Sequence, residues 1–308
     1  MVKKCKKNFR VSVAIPAFNE EKTIGQVLDS IFSQSQVGWV LSEILVYSDG
    51  SKDKTVVEVK KIKRRLIKVK DFKQRKGKSF RLNQIFKAFK GDILVLFDAD
   101  IKIKGKNVIT SIVKEFEKDD EVMLVGGDSR VFHPTNFFER AIYTSYYVYY
   151  KSREKLKEGN NVFACTGACL ALRKSFAKRL VIPKEVFSDD LYLYLICIKK
   201  GYKFRYAPRA KVYYKMASNL RDFLRQMFRS HPEAISLVYK KYFGDLVDKE
   251  FNRPRLFYLK TVTEIFVKNP LGTMYMIAIK LFAKPFYFFL AKKYRLSWFT
   301  ALSTKKLL

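Results

Sequence analysis

Three apolar runs, each ending in a polar turn and each followed by a helix-period pattern, predict an α/β protein with a mostly parallel central sheet. The runs are VSVAI at 11–15, EILVY at 43–47 and GDILVLF at 91–97. Their apolar character is continuous rather than alternating, as strands buried on both faces require, so helices should cover both sides of the sheet. In open sheets of this kind ligands bind beyond the carboxyl ends of the strands. The polar turns at those ends should therefore share one crevice.

The first run ends at Pro16 and passes through AFNEEKT into a helix carrying Ile24, Val27, Leu28 and Ile31. The second ends in Ser48, Asp49, Gly50 and Ser51 ahead of a helix through Val56, Val57 and Val59. A further helix begins near Ser79, with Phe80, Ile85, Phe86 and Phe89 on its apolar side, and the third run ends in Asp98, Ala99 and Asp100. VMLVGG at 122–127 reads as a strand, and Asn136–Leu156 as a Tyr-rich helix too apolar to be bathed in water all round. VFACTGACLALRKS at 162–175 reads as a strand-like run. After it come a polar turn, Ser188-Asp189-Asp190, a helix stopped by Gly201 and a short strand KFRYA. Beyond about residue 215 the chain turns helical, aromatic and basic, with Asn252-Arg253-Pro254 and Asn269-Pro270 as breaks. Two regions are expected: 1–231, catalytic, and 232–308, a basic helical region.

The 308 residues carry 62 Lys and Arg against 29 Asp and Glu, a net charge of +33, and 48% are hydrophobic. Disorder is excluded by that apolar content, and the charge calls for phosphate-bearing partners: nucleic acid, an anionic membrane or a nucleotide-linked substrate. The basic run at 60–78 crosses a helix, a strand and a loop, so a solvated face explains it better than a nucleic-acid patch. Specific nucleic-acid binding is therefore not expected, although it stands as the rival reading of the charge. His133 and His231 are isolated. Cys5, Cys165, Cys169 and Cys197 form no CxxC pair, which suits reduced thiols. No apolar core follows the charged N-terminus as in a secretory signal, so a cytoplasmic location is expected. The most apolar window, 271–290, contains Lys280, Lys284 and Pro285. Each Lys near a bilayer centre costs about 2.5–3.5 kcal/mol, so the window is expected to lie on an anionic membrane surface rather than span it.

Asp98 and Asp100 flank one small residue at a strand end, a spacing that lets both carboxylates turn toward one hard divalent ion, Mg or Mn. They do not stand alone. Pro16-Ala17-Phe18-Asn19-Glu20, then Asp49-Gly50-Ser51, then Lys76-Gly77-Lys78 with Asn83 precede them in order, each near a strand end. Taken together this set resembles the family 2 glycosyltransferases, with their nucleotide-sugar-binding GT-A fold. The likeness continues through Thr166-Gly167-Ala168, through Ser188-Asp189-Asp190 at the place of the family's TED, and through Gln226 and Arg229 at the place of QxxRW.

The resemblance implies an inverting, metal-dependent transfer of a sugar from a nucleotide-diphosphate donor, UDP favoured, to a lipid-linked or glycan acceptor, as in cell-envelope polysaccharide or glycolipid synthesis. Donor binding then falls to the Pro16–Glu20 loop, to Asp49, Gly50 and Ser51, to Lys76, Gly77, Lys78 and Asn83, to Asp98 and Ala99, and to Gln226 and Arg229. Asp98 and Asp100 would hold the metal, and Thr166, Gly167 and Ala168 would face the acceptor beside the helix at 136–156. Asp190 would be the base, with Asp189 next to it. Ser230 replaces the Trp of QxxRW, which points to one sugar added rather than to processive synthesis. A catalytically inactive GT-A module is the remaining alternative.

Overall fold

A computed structural model provides the fold, and it describes residues 8–229 and 232–286. The strands are β1 (Phe9–Ala17), β2 (Trp39–Asp49), β3 (Ile67–Phe72), β4 (Ile93–Phe97), β5 (Ile101–Ile103), β6 (Val122–Val131), β7 (Cys169–Arg173) and β8 (Lys203–Tyr214). They form one sheet in the order β3-β2-β1-β4-β7-β6-β8-β5. β1 runs parallel to both β2 and β4, β2 to β3, and β6 to β8, whereas β7 is antiparallel to β4 and β6, and β5 to β8. The chain leaves β1 toward β2 on one side and returns to β4 on the other. That reversal opens the crevice at the carboxyl ends of β1, β2 and β4.

The helices are α1 (Ile24–Phe32), α2 (Thr55–Lys61), α3 (Lys78–Ala88), α4 (Val108–Lys118), α5 (Phe137–Lys155), α6 (Lys174–Ala177), α7 (Asp189–Lys199), α8 (Leu220–Arg229), α9 (Pro232–Phe243), α10 (Leu246–Phe251), α11 (Arg255–Lys268) and α12 (Pro270–Ala283). Along β4, Ile93, Val95 and Phe97 enter the core beneath α1 and α4, while Leu94 and Leu96 enter the opposite core beneath α3 and α7. Both faces are thus buried, which is why this strand reads as unbroken hydrophobicity.

The segment expected as one strand over 162–175 pairs only at 169–173. Residues 162–168 instead cross over β6, and they come so close that a Cβ on Gly126 would meet the Ala164 carbonyl at 2.2 Å. Asn161 holds this crossing, its amide donating to the Arg153 and Leu156 carbonyls and its oxygen accepting from the Phe163 amide. KFRYA proves to be the first part of β8, which continues to Tyr214 past a register shift opposite Gly127 and Asp128.

Beyond residue 231, α9 and α10 add Val238, Tyr239, Phe243 and Val247 to the core that α3 and α7 share. The Tyr239 hydroxyl donates to the Ser188 carbonyl and accepts from the Ser188 amide, so this part of the chain braces the turn before α7. α11 and α12 lie along α5. Among the described residues no helix is long and apolar enough to cross a membrane.

Candidate active site

The turns after β1 and β2 are laced together. Asn19, in the left-handed region at φ 55°, receives the Lys52 amide on its side chain and gives its own amide to Ser51 Oγ. The Glu20 amide donates to Thr55 Oγ1, and the Glu21 amide to Asp53. Gly50 has a φ of 73°, and a Cβ there would meet the Arg75 amide nitrogen at 3.0 Å, so only glycine lets the 74–77 loop close over it. Arg75 in turn stacks on Phe18, 3.8 Å from the ring centre. Pro16 and Ala17, the last residues of β1, are buried beneath this floor.

Two residues expected at the donor are held by protein partners. Asp49 has a fully buried side chain, and its oxygens accept from the amides of Lys76 (2.9 Å) and Gly77 (2.8 Å) and from Arg81 Nε (2.6 Å). These three bonds shape the 74–77 loop. Asn83 is likewise engaged on both sides, donating to the Ile182 carbonyl and accepting from the Ile182 amide at 2.8 Å each. It pins α3 to the segment before α7. Lys76 is exposed, its ammonium 4.9 Å from the Phe80 ring centre.

At the first residue of α3, Lys78 reaches into the crevice, 2.7 Å from Asp98 Oδ1 and 3.3 Å from Asp189 Oδ2, with only 13% of its side chain exposed. Burial alone would push its ammonium toward neutrality; the charges of Asp189 and Asp98 outweigh that and hold it protonated. Asp190 Oδ2 accepts from the Gly167 amide at 2.9 Å, and its Oδ1 accepts from Ser188 Oγ and the Leu191 amide. A Cβ on Gly167 would stand 2.9 Å from Lys78 Nζ, so the turn before β7, the cation and the carboxylates of α7 converge on one point. Asp98 is tied back through its amide to the Ala168 carbonyl, and Ala99 is buried between the two acids.

Burial, then the nearby charge of Asp98, pushes the Asp100 carboxyl up to about 7, while burial first raises Asp189 as well. This like-charge crowding is the environment a hard divalent ion relieves. Among the described residues no set of three or more His, Cys, Asp or Glu could hold a metal by itself. Two hard carboxylate donors one residue apart, Asp98 and Asp100, suit such an ion.

The wall of the crevice includes groups that the motifs did not flag. Thr166 Oγ1 donates to Ser129 Oγ, and next to Ser129 the buried Asp128 accepts from Arg153 Nη1 at 3.0 Å. Arg153 also donates to the carbonyls of Ser129 and Phe163, so a fully buried guanidinium on α5 sets the path that leads to Gly167. An Arg near the end of a Tyr-rich helix was the available signal. Gln226 lies on α8, partly buried. The side chain of Arg229, together with Ser230 and His231, falls outside the described residues.

The sequence model for "Glycosyl transferase family 2" matches residues 12–181, more than half of the chain. The chain belongs to glycosyl transferase family 2. As a family 2 glycosyltransferase it is 26% identical over 236 residues to an N-acetylglucosaminyltransferase of Azorhizobium caulinodans, covering 71% of this chain and 58% of that protein. It is 22% identical over 248 residues to the poly-beta-1,6-N-acetyl-D-glucosamine synthase of Staphylococcus aureus, covering 78% and 58%. The chain thus spans a little over half the length of these curated relatives. A mannosyltransferase from Pyrobaculum calidifontis, solved with GDP-Man and Mn2+, superposes with a TM-score of 0.57 at 22% identity over 95% of this chain and 81% of that one. Glucosyl-3-phosphoglycerate synthase from Mycobacterium tuberculosis, solved with Mn2+, UDP and phosphoglyceric acid, gives 0.53 at 18% identity over 74% and 78%. These likenesses establish the GT-A-like α/β fold of this glycosyltransferase, with its mostly parallel sheet and added C-terminal helices.

Proposed function

We propose that this glycosyltransferase moves one sugar, with inversion and with a divalent metal, from a nucleotide-diphosphate donor to a hydroxyl of a lipid-linked or glycan acceptor. The reading rests above all on one observation: Asp190, a carboxylate outside the Asp98–Asp100 pair, is fixed by the Gly167 amide beside the Lys78 cation. In a single in-line displacement the acceptor oxygen attacks the anomeric carbon, the bond from that carbon to the diphosphate breaks, and the acceptor proton passes to Asp190 Oδ2, which keeps a lone pair free of the Gly167 amide. Lys78 neutralises charge as the diphosphate leaves, and Arg229 is assigned the same task from the end of α8. A divalent ion held by Asp98 and Asp100 would share that charge when bound.

The nucleotide lies on the floor made by Phe18, Asn19, Gly50 and Ser51, with Lys76 and Gly77 beside its phosphates. Asp49 contributes by holding that loop. UDP remains the favoured donor nucleotide. Residues 1–231 carry the chemistry, and 232–308 bring the enzyme to the cytoplasmic face of an anionic membrane as a peripheral protein. Leu271, Met274 and Phe282 of α12 are exposed and suit that placement.

Hydrolysis of a panel of UDP-, GDP- and dTDP-sugars by purified protein with Mn or Mg tests the reading, because many transferases slowly pass the sugar to water. Release from one donor that EDTA abolishes is the expected result. No release and no nucleotide-induced thermal shift would overturn it.

A further inference from the structure

A cavity of about 440 Å³ opens at the amino end of β4, and its wall includes Phe9, Asp92, Arg173, Lys174, Lys178 and Arg179. It lies at the far end of the sheet from the catalytic crevice. Asp92 precedes β4 where Asp98 follows it, and Arg173, paired with Ile93, ends β7 where Gly167 and Ala168 come before it. At about 3.3 Å per residue the two ends of β4 stand on the order of 15 Å apart. The volume suits a small organic ligand rather than a single ion.

The charges around this cavity are one-sided. Asp92 is already engaged, its Oδ2 accepting from the Arg10 amide at 2.9 Å and its Oδ1 lying 3.5 Å from the Arg10 guanidinium. Arg173 is engaged as well, donating to the carbonyls of Phe116, Asp119 and Val122. Lys174, Lys178 and Arg179 have no carboxylate partner among the described residues. The Lys174 ammonium donates to the Lys90 carbonyl at 3.2 Å and that of Lys178 to the Lys87 carbonyl at 2.6 Å. Each is thus aimed by a neutral acceptor without being neutralised, and each keeps further N–H donors. Burial first, and then the charge of Lys174, pushes the pKa of Lys178 down. Glu43, the carboxylate within electrostatic reach of Lys178, is held by Lys68 at 2.6 Å and by Ser12. A chain with a net charge of +33 has many solvated lysines. What sets these cations apart is that two are tethered to backbone and all three line one concave site.

We propose that this cavity is a second anion site, separate from the donor crevice, which takes a soluble phosphate monoester with its head among Lys174, Lys178 and Arg179 and its body toward Phe9. A phosphate head carries close to two negative charges and three acceptor oxygens, enough to serve all three side chains, whereas one carboxylate would leave most of the positive charge unmatched. The site stands whether or not the transfer proposed above is correct.

Calorimetric titration of the full chain with glucose 6-phosphate, glucose and inorganic phosphate tests the site, at physiological salt so that a merely solvated basic face is screened. Wild-type protein should bind glucose 6-phosphate at least tenfold more tightly than either control. The double variant Lys174→Gln/Lys178→Gln should lose tenfold or more of that affinity with its melting temperature unchanged, and Lys178→Arg should keep most of it. Lys78→Gln, which removes the cation of the crevice, should bind glucose 6-phosphate as wild type does; a loss there would put the ligand in the crevice and overturn the proposal. Absence of binding by wild type, equal binding by the double variant, or inorganic phosphate binding as tightly as the ester would each overturn it too. Flotation with phosphatidic acid vesicles separates a lipid source from a soluble one. Vesicle binding that the double variant loses, in a wild type that ignores glucose 6-phosphate, would assign these cations to a lipid headgroup and sink the soluble ester.

Discussion

Lys78 Nζ lies 2.7 Å from Asp98 Oδ1, so the first residue of α3 and the turn that ends β4 meet through a charge pair inside the crevice. The pair gives the resting site a cation where a leaving diphosphate needs one, and gives an acidic pocket the counter-charge that keeps it together. In the proposed transfer an arriving diphosphate would offer Lys78 a further anionic partner beside Asp98 and Asp189.

Replacing Lys78 with Gln preserves length and removes the charge. Donor hydrolysis should fall by about 10²–10³ in kcat, the usual loss when one preorganised charge-stabilising group is removed. Steady-state kinetics on the donor that the wild type turns over checks this, and retention of more than a tenth of the wild-type rate contradicts the role.

Asp100 gives the pH dependence. Its folded carboxyl is raised to about 7 by burial first and by Asp98 second, well above its unfolded value. A raised folded pKa means that the stabilisation is complete below the unfolded pKa of about 4 and is lost as pH rises through about 7. Charged Asp100 is thus a liability that a bound cation removes. The thermal shift produced by Mn should be larger at pH 8 than at pH 6, where protons compete for the site. Equal shifts at the two pH values would remove Asp100 from the metal pair.

Asp49 and Arg81 form a buried pair at 2.6 Å, with side chains 0% and 2% exposed. Asp49→Ala strands the guanidinium and frees two backbone amides, so unfolding in urea should show a loss of about 3–5 kcal/mol. A nucleoside contact alone would leave the stability of the free protein unchanged, which makes the urea midpoint the discriminating measurement.

The sheet was legible where physics forces a visible pattern: β1, β2 and β4 are covered on both faces and so are apolar throughout, and the turns after them carry the polar motifs that the family model also spans. The order of those motifs along the chain placed Lys78, Asp98 and Asp190 at one crevice. Spacing alone does not say which way a side chain turns. Asp49 and Asn83 sit among motif residues yet face inward, because their partners Arg81 and Ile182 are chosen by tertiary packing. Residues 162–168 carry strand-like composition but cross over β6, a path set by Asn161, Arg153 and the bare backbone of Gly126. Arg253 lies in a loop that reads only as a helix break, yet it stacks on Phe163, far earlier in the chain.

Asp189 and Asp190 should separate on substitution. Asp190→Asn removes the proposed proton acceptor while keeping a carbonyl oxygen for the Gly167 amide, so kcat should drop by about 10²–10⁴ with donor affinity preserved. Asp189→Asn removes a partner of Lys78 and should weaken donor binding instead. Calorimetric donor titration beside single-turnover kinetics distinguishes the two, and a reversed pattern would exchange their roles.

Gly167→Ala probes the convergence itself. The added Cβ would stand 2.9 Å from Lys78 Nζ, and 3.6 and 3.8 Å from the Oδ2 atoms of Asp190 and Asp189. The closest of these is the far end of a flexible side chain, so the fold can yield cheaply by moving the ammonium, and the melting temperature should change little. The same movement pulls Lys78 from the position between Asp98 and Asp189, and displacements of this size in a preorganised site cost about 10²-fold. The expected variant is therefore stable and nearly inactive, with its Mn thermal shift altered because Asp98 has lost its ammonium. A large fall in melting temperature would show instead that the glycine is required by the backbone path from β6 to β7, and wild-type turnover would show that Lys78 works from somewhere other than this contact.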